Sequence, residues 1–126
     1  MITLEEVSYS YPRGGRQAIS RVSVNIEPGE CLFVTGPSGA GKTTMCMAAA
    51  GILEHEFGGE KEGKITILGR NVKEYASLSE ISGHVGMVFD DPEAQLIFTS
   101  VEEEILSALE RRGLSAEEIE SRLSSI

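Results

Sequence analysis

Gly36-Pro37-Ser38-Gly39-Ala40-Gly41-Lys42-Thr43-Thr44 fits G-x-x-x-x-G-K-[ST], the pattern of a phosphate-binding loop. Its flanks are the ones the pattern requires. Upstream, Cys31-Leu32-Phe33-Val34-Thr35 is a short apolar run that stops at glycine, as a buried strand does. Downstream, Met45 to Leu53 contains only apolar residues and Gly51, which predicts a buried helix. Strand, glycine loop and helix follow in the necessary order.

The chemistry expected of this stretch follows from its backbone. Glycines at 36, 39 and 41 permit conformations that a Cβ forbids, so consecutive N–H groups of the loop can converge on one anion. Unpaired amides and the positive dipole end of the following helix favour phosphate at the same place. Lys42 would set its ammonium against the outer phosphates, and the Thr43 hydroxyl would ligate Mg²⁺. Thr44 brings a second hydroxyl within reach of the inner phosphates.

Composition narrows the remaining possibilities. A chain of 126 residues with 40% hydrophobic and 25% charged residues has room for one ordinary globular domain. No apolar run approaches the length of a membrane span, and Met1-Ile2-Thr3-Leu4-Glu5-Glu6 does not resemble a signal sequence, so a cytosolic protein is expected. The formal net charge of -9 lies wholly in residues 51–126, because residues 1–50 balance four acids with four bases. Such an acidic balance argues against a nucleic-acid partner, which needs a basic footprint. Cys31 and Cys46 belong to no C-x-x-C pair and are expected to be buried, inert thiols. His55 and His84 have no ligand-spaced partner and are expected at the surface or in packing.

Around the loop the chain alternates strands and turns. Ile2 to Tyr11 reads as a half-buried strand, broken by Pro12-Arg13-Gly14-Gly15-Arg16. Val22, Val24 and Ile26 mark a second strand, stopped by Pro28-Gly29, and the two form an antiparallel unit ahead of the loop. Tyr11, at the end of the first strand, can fold over the site and stack on an adenine ring, or simply pack. Glu54 to Gly63 reads as a surface loop, and Lys64 to Leu68 with Gly69 as a strand and turn. Residues 76–83 suggest a short helix capped near Ser77 or Ser79. Val85-Gly86-Met87-Val88-Phe89 is a second apolar strand, ending in Asp90-Asp91-Pro92. Two capping boxes, Ser100-Val101-Glu102-Glu103 and Ser115-Ala116-Glu117-Glu118, open two amphipathic helices. Their apolar stripes are Val101, Ile105, Leu106 and Leu109, then Ile119, Leu123 and Ile126.

Taken together, these features resemble the N-terminal half of an ABC-type ATP-binding subunit, and the resemblance runs over essentially all 126 residues. Val7-Ser8-Tyr9-Ser10-Tyr11 is similar to the family's opening strand, which makes Tyr11 the adenine-stacking aromatic. Val22 to Glu30, with its Pro-Gly-Glu turn, resembles the lead into the phosphate loop. Gly63-Lys64-Ile65-Thr66-Ile67-Leu68-Gly69 resembles the Gly-x-Ile-x-x-x-Gly hairpin. Val85 to Leu96 resembles the strand into the Q-loop, and with Thr99 to Ile105 it looks closest to the energy-coupling-factor and cobalt/nickel-type importers. The implied fold is α/β: a partial P-loop NTPase domain of ABC type, with an antiparallel β subdomain, the start of the parallel core and the start of the helical subdomain. The implied cofactors are ATP and Mg²⁺. The implied partners are the transmembrane subunits of an importer, which Asp90 to Thr99 would dock on, and a second ATP-binding subunit, at the inner face of the cell membrane.

Two departures from the family pattern matter. Asp90 stands where the Q-loop has glutamine; its carboxylate can hold Mg²⁺ but is shorter and donates no hydrogen bond. No residue up to Ile126 supplies the Leu-Ser-Gly-Gly-Gln signature, the Walker B carboxylate or the switch histidine. Phosphoryl transfer rests on positioning and charge stabilisation, so this chain is expected to bind MgATP weakly and hydrolyse it negligibly. The Leu32–Thr35 strand would also have an open edge, which predicts association or dependence on further strands. Two other readings compete. Val85 to Asp91 can be a Walker B strand of a small, complete P-loop NTPase, with Asp90 or Asp91 on the metal. Alternatively, the chain is an ABC-type ATP-binding module that moves no solute.

Overall fold

The computed structural model describes residues 1–13 and 15–126, so the part of the expected turn that falls on Gly14 lies outside the described residues. They form two compact units, Met1–Met87 and Val88–Ile126.

The first unit is built on a four-stranded antiparallel sheet in the order β2-β1-β3-β4. The strands are β1 (Ile2–Ser10), β2 (Gln17–Ile26), β3 (Glu60–Ile67) and β4 (Arg70–Asn71). The expected alternation of β1 is interrupted: Leu4 is buried, Glu5 and Glu6 are exposed, and Val7, Ser8 and Tyr9 are buried in succession. A bulge at Glu6, whose φ is 50°, shifts the phase so that even positions face the core before it and odd ones after it. A second irregularity at Arg21, φ 48°, shifts β2 to match, pairing Val7 with Val22 and Tyr9 with Ile19. Side chains satisfy the amides displaced from the ladder. Glu6 N–H donates to Ser23 Oγ and Arg21 N–H to Ser8 Oγ, each at 2.9 Å. On β3, Gly63 makes room for the bulge, since a Cβ there would lie 2.5 Å from the carbonyl oxygens of Glu5 and Glu6. Residues 60–63 are therefore strand and Glu54 and His55 are helical, so the expected surface loop is confined to residues 56–59.

Helix α1 (Lys42–Ala49) and the single turn α2 (Ile52–His55) replace the one helix expected over 45–53. Gly51 separates them with a positive φ of 73°, packed against Ile81. Met47, Ala48 and Leu53 join Leu4, Val7, Tyr9 and Ile19 in one core cluster. Ile67, Val72, Tyr75 and Ile81 form another, closed by α3 (Leu78–Ser82), which Ser77 caps, one of the two serines (Ser77 and Ser79) that the sequence offers. Leu68 and Gly69 form the β3–β4 turn, both at positive φ, so Leu68 is a turn residue and not the last residue of a strand.

Two expected strands are absent. Residues 31–35 and 85–89 contain no strand, and Leu32, Phe33 and Val88 are 40%, 86% and 79% exposed. The sequence predicts a buried strand over 31–35, with parallel neighbours, and a second apolar strand over 85–89. A parallel strand needs a hydrogen-bonded neighbour and cover on both faces, and the one sheet among the described residues is antiparallel.

The second unit contains a 3₁₀ turn at Glu93–Gln95 and two helices, α4 (Val101–Glu110) and α5 (Ala116–Leu123). The Ser115–Glu118 capping box is complete, whereas Ser100 accepts from Glu103 N–H without the reciprocal backbone bond. Glu104 instead turns back to accept from the N–H groups of Ile97 and Phe98, at 3.0 and 2.8 Å.

Candidate functional site

The glycine loop ends at Gly41, which holds φ 91° and ψ 12° as the N-cap of α1. Most helices satisfy their first amides with a Ser, Thr, Asp or Asn side chain. Here no side chain caps the helix and no acid stands in its first turn. Its amino end thus keeps the positive character that attracts an anion. The close fit of Gly41 to the sheet holds this geometry, because a Cβ at that position would lie 2.2 Å from Ala18 O and 2.9 Å from Ile19 Cγ2. Residues 36–40 lie exposed around the same end, with Ala40 N–H donating to Pro37 O at 3.2 Å.

Lys42 curls over the loop. Its Nζ donates to Gly36 O at 3.0 Å and to Pro37 O at 2.8 Å. An ammonium has three donors, so this arrangement anchors the charge at the loop and leaves one N–H for an incoming oxygen. Thr43 is half-buried in the first turn of α1. Its hydroxyl is the kind of hard oxygen donor that Mg²⁺ accepts, with phosphate and water completing the shell. The residues present therefore suit a phosphate tail and its metal.

Thr44 is only 7% exposed, and its Oγ1 lies 3.2 Å from Tyr11 Oη. The Tyr11 ring meets Tyr9 edge-on at 4.7 Å between centroids and Phe57 edge-on at 6.2 Å. Packing is thus part of what Tyr11 does, and the same contacts bring it to the loop helix. Beside it opens a cavity of about 310 Å³ whose lining includes Ser10, Tyr11, Pro12 and Glu60. That volume is at the lower end for a small-ligand pocket. Phe57 was not foreseen, because no periodicity links residue 57 to residue 11. Only the odd-position alternation of Val7, Tyr9 and Tyr11 hinted that the two tyrosines share a face.

Asp90 belongs to the second unit, where it is exposed on a bend beside Asp91. Gln95 folds back within the same unit, its Oε1 accepting from Phe89 N–H at 3.1 Å. Among the described residues there is no cluster of three metal-ligating His, Cys, Asp or Glu side chains. The strand that the Walker B reading requires over residues 85–91 is not formed.

Both cysteines are exposed, contrary to expectation. Cys31 lies in the unpaired run 31–35, and Cys46 is on the face of α1 turned away from buried Thr44, Met47 and Ala48. The histidines pack as expected: His55 Nε2 lies 3.2 Å from Val72 O, and the His84 ring meets Tyr75. Among the described residues no helix is long and apolar enough to cross a membrane.

Comparison with known proteins identifies the family and the fold. The model of the ABC transporter family matches residues 19–126. An ABC transporter ATP-binding protein of Methanosarcina mazei is 50% identical over all 126 residues, and one of Pyrococcus abyssi is 38% identical over 98% of this chain. The chain spans 25% and 44% of the lengths of these two relatives. The ATP-binding cassette MJ0796, solved as a dimer in a post-hydrolysis state with ADP and Pi, aligns with a TM-score of 0.74 at 24% identity. That alignment covers 99% of this chain and 55% of the cassette, and at such identity it speaks for the fold alone. The loop, the helix it opens and the sheet behind it are thus those of an ATP-binding cassette of the P-loop NTPase fold, and the chain belongs to the ABC transporter family.

Proposed function

We propose that residues 36–44 bind the phosphates of MgATP, with Lys42 on the outer phosphates, Thr43 on the metal and Tyr11 beneath the adenine. The observation that carries this reading is the uncapped start of α1 with one ammonium tethered beside it. In the same reading Asp90 takes the Q-loop position as a second oxygen ligand of Mg²⁺. Residues 1–126 are the N-terminal portion of one ATP-binding domain, and alone they bind MgATP weakly with negligible turnover.

The whole protein, in this proposal, couples ATP binding and hydrolysis to solute uptake at the inner face of the cell membrane. It works with a second ATP-binding subunit and with transmembrane subunits that Asp90 to Thr99 docks on. The likeness of residues 85–96 and 99–105 to the energy-coupling-factor and cobalt/nickel-type importers supports the direction of transport. Titration of the folded chain with fluorescent ATP and Mg²⁺ tests the site. Saturable binding that weakens at least about tenfold in Lys42→Ala is expected, since a charge-assisted contact to phosphate is lost. Turnover above background that Lys42→Ala abolishes would refute the expectation of negligible hydrolysis. Copurification with transmembrane subunits, measured against nucleic acid as competitor, tests the partners.

A further inference from the structure

We infer that the Tyr11 hydroxyl is a positioning group for the phosphate end of the site, acting through Thr44. This rests on the reading of residues 36–44 as a triphosphate seat, and it assigns Tyr11 a task separate from stacking on a base. Tyr11 Oη and Thr44 Oγ1 lie 3.2 Å apart, and either can donate. Thr44 stands in the first turn of α1, two residues after Lys42, and is 7% exposed. Its hydroxyl therefore has little water to choose from, and Tyr11 restricts which way its proton and lone pairs point.

The tyrosine is itself held firmly. Tyr9 and Phe57 meet its ring edge-on from β1 and from the turn before β3. Tyr9 is anchored in turn, donating from its hydroxyl to Gly58 O at 2.6 Å. A rigid aromatic cluster on the sheet thus ends in one hydroxyl placed on the first turn of the phosphate-binding helix. When Tyr11 donates, Thr44 Oγ1 is left as a donor toward the loop. When Thr44 donates, that capacity is spent. The pair links the base end of the site to its phosphate end with no step in between.

Calorimetric titration of the 126-residue chain with inorganic triphosphate, and separately with MgATP, tests the inference. The variants are Tyr11→Phe, Thr44→Val, Thr44→Ser and the Tyr11→Phe/Thr44→Val double. Tyr11→Phe keeps the ring and removes only the hydroxyl. It is expected to weaken inorganic triphosphate about two- to fivefold, the scale of one long hydrogen bond. Thr44→Val, which removes the hydroxyl through which Tyr11 acts, should weaken it at least as much, the double should be no weaker than Thr44→Val alone, and Thr44→Ser, which keeps the hydroxyl, should bind more tightly than Thr44→Val. Two results overturn the inference while leaving the site reading intact. In one, Tyr11→Phe weakens only MgATP or lowers only the thermal midpoint; in the other, the two single losses add. A parent chain that binds MgATP but not inorganic triphosphate also overturns it. A folded parent that binds neither overturns the triphosphate seat itself, and this inference with it.

Discussion

Gly41→Ala is the substitution that most directly probes how the sheet holds the loop, and Gly39→Ala is its control. Both glycines have positive φ, 91° and 79°. A Cβ at 39 meets nothing within 4 Å, so that variant bears only the conformational cost of an L residue in the left-handed region, about 1–2 kcal/mol. A Cβ at 41 bears the same cost and also lies 2.2 Å from a backbone oxygen, where ordinary contact begins at 3.4 Å. Ala18 O belongs to β2 and is not the end of a flexible side chain, so the overlap is relieved only by moving the loop away from the sheet. Forced overpacking of this kind costs about 1–3 kcal/mol more, for a total of about 2–5 kcal/mol. Urea unfolding followed by circular dichroism measures the difference. With m values of about 1–3 kcal/mol/M, an extra 1–3 kcal/mol lowers the midpoint of Gly41→Ala below that of Gly39→Ala by roughly a third of a molar or more at unchanged m. Equal midpoints would show that Gly41 is not pressed on β2, and the account of how α1 is aimed would fall.

Two further expectations concern stability alone. Leu68 is 59% exposed and sits at φ 50° in the β3–β4 turn, a position that suits asparagine far better than leucine. Leu68→Asn should therefore raise stability by about 0.5–1 kcal/mol, and a lowered urea midpoint would contradict the turn assignment. Glu118 accepts from Ser115 N–H at 2.9 Å and from the Ser115 hydroxyl, and these bonds hold its carboxyl below the usual glutamate value. Because the folded form has the lower pKa, the stabilisation of α5 is fully present above the ordinary value near 4.3. It is lost as pH falls through the depressed one. The Ser115 amide resonance should follow that acid-side transition, and Glu118→Gln should abolish it.

The loop, its lysine and the presence of a helix after it were legible from residues 36–53, though not the break at Gly51, because glycine spacing and an apolar run are local properties of the chain. So was the capping box at Ser115, and so was the cap of α3 to within Ser77 or Ser79, each set by residues within one helical turn. The bulges at Glu6 and Arg21 were not legible, since they depend on how two strands far apart in sequence share a register. Nor was the exposure of Cys31, Leu32 and Phe33. Their apolar run specifies a strand only when another strand supplies hydrogen bonds, and periodicity cannot say whether one does. The Tyr11–Thr44 contact is of the same kind. The identities of the two hydroxyls were on view from the start, but the sheet and α1 alone decide that residues 11 and 44 meet. Burial against distant partners is a property of the assembled unit, and only the assembled unit reveals it.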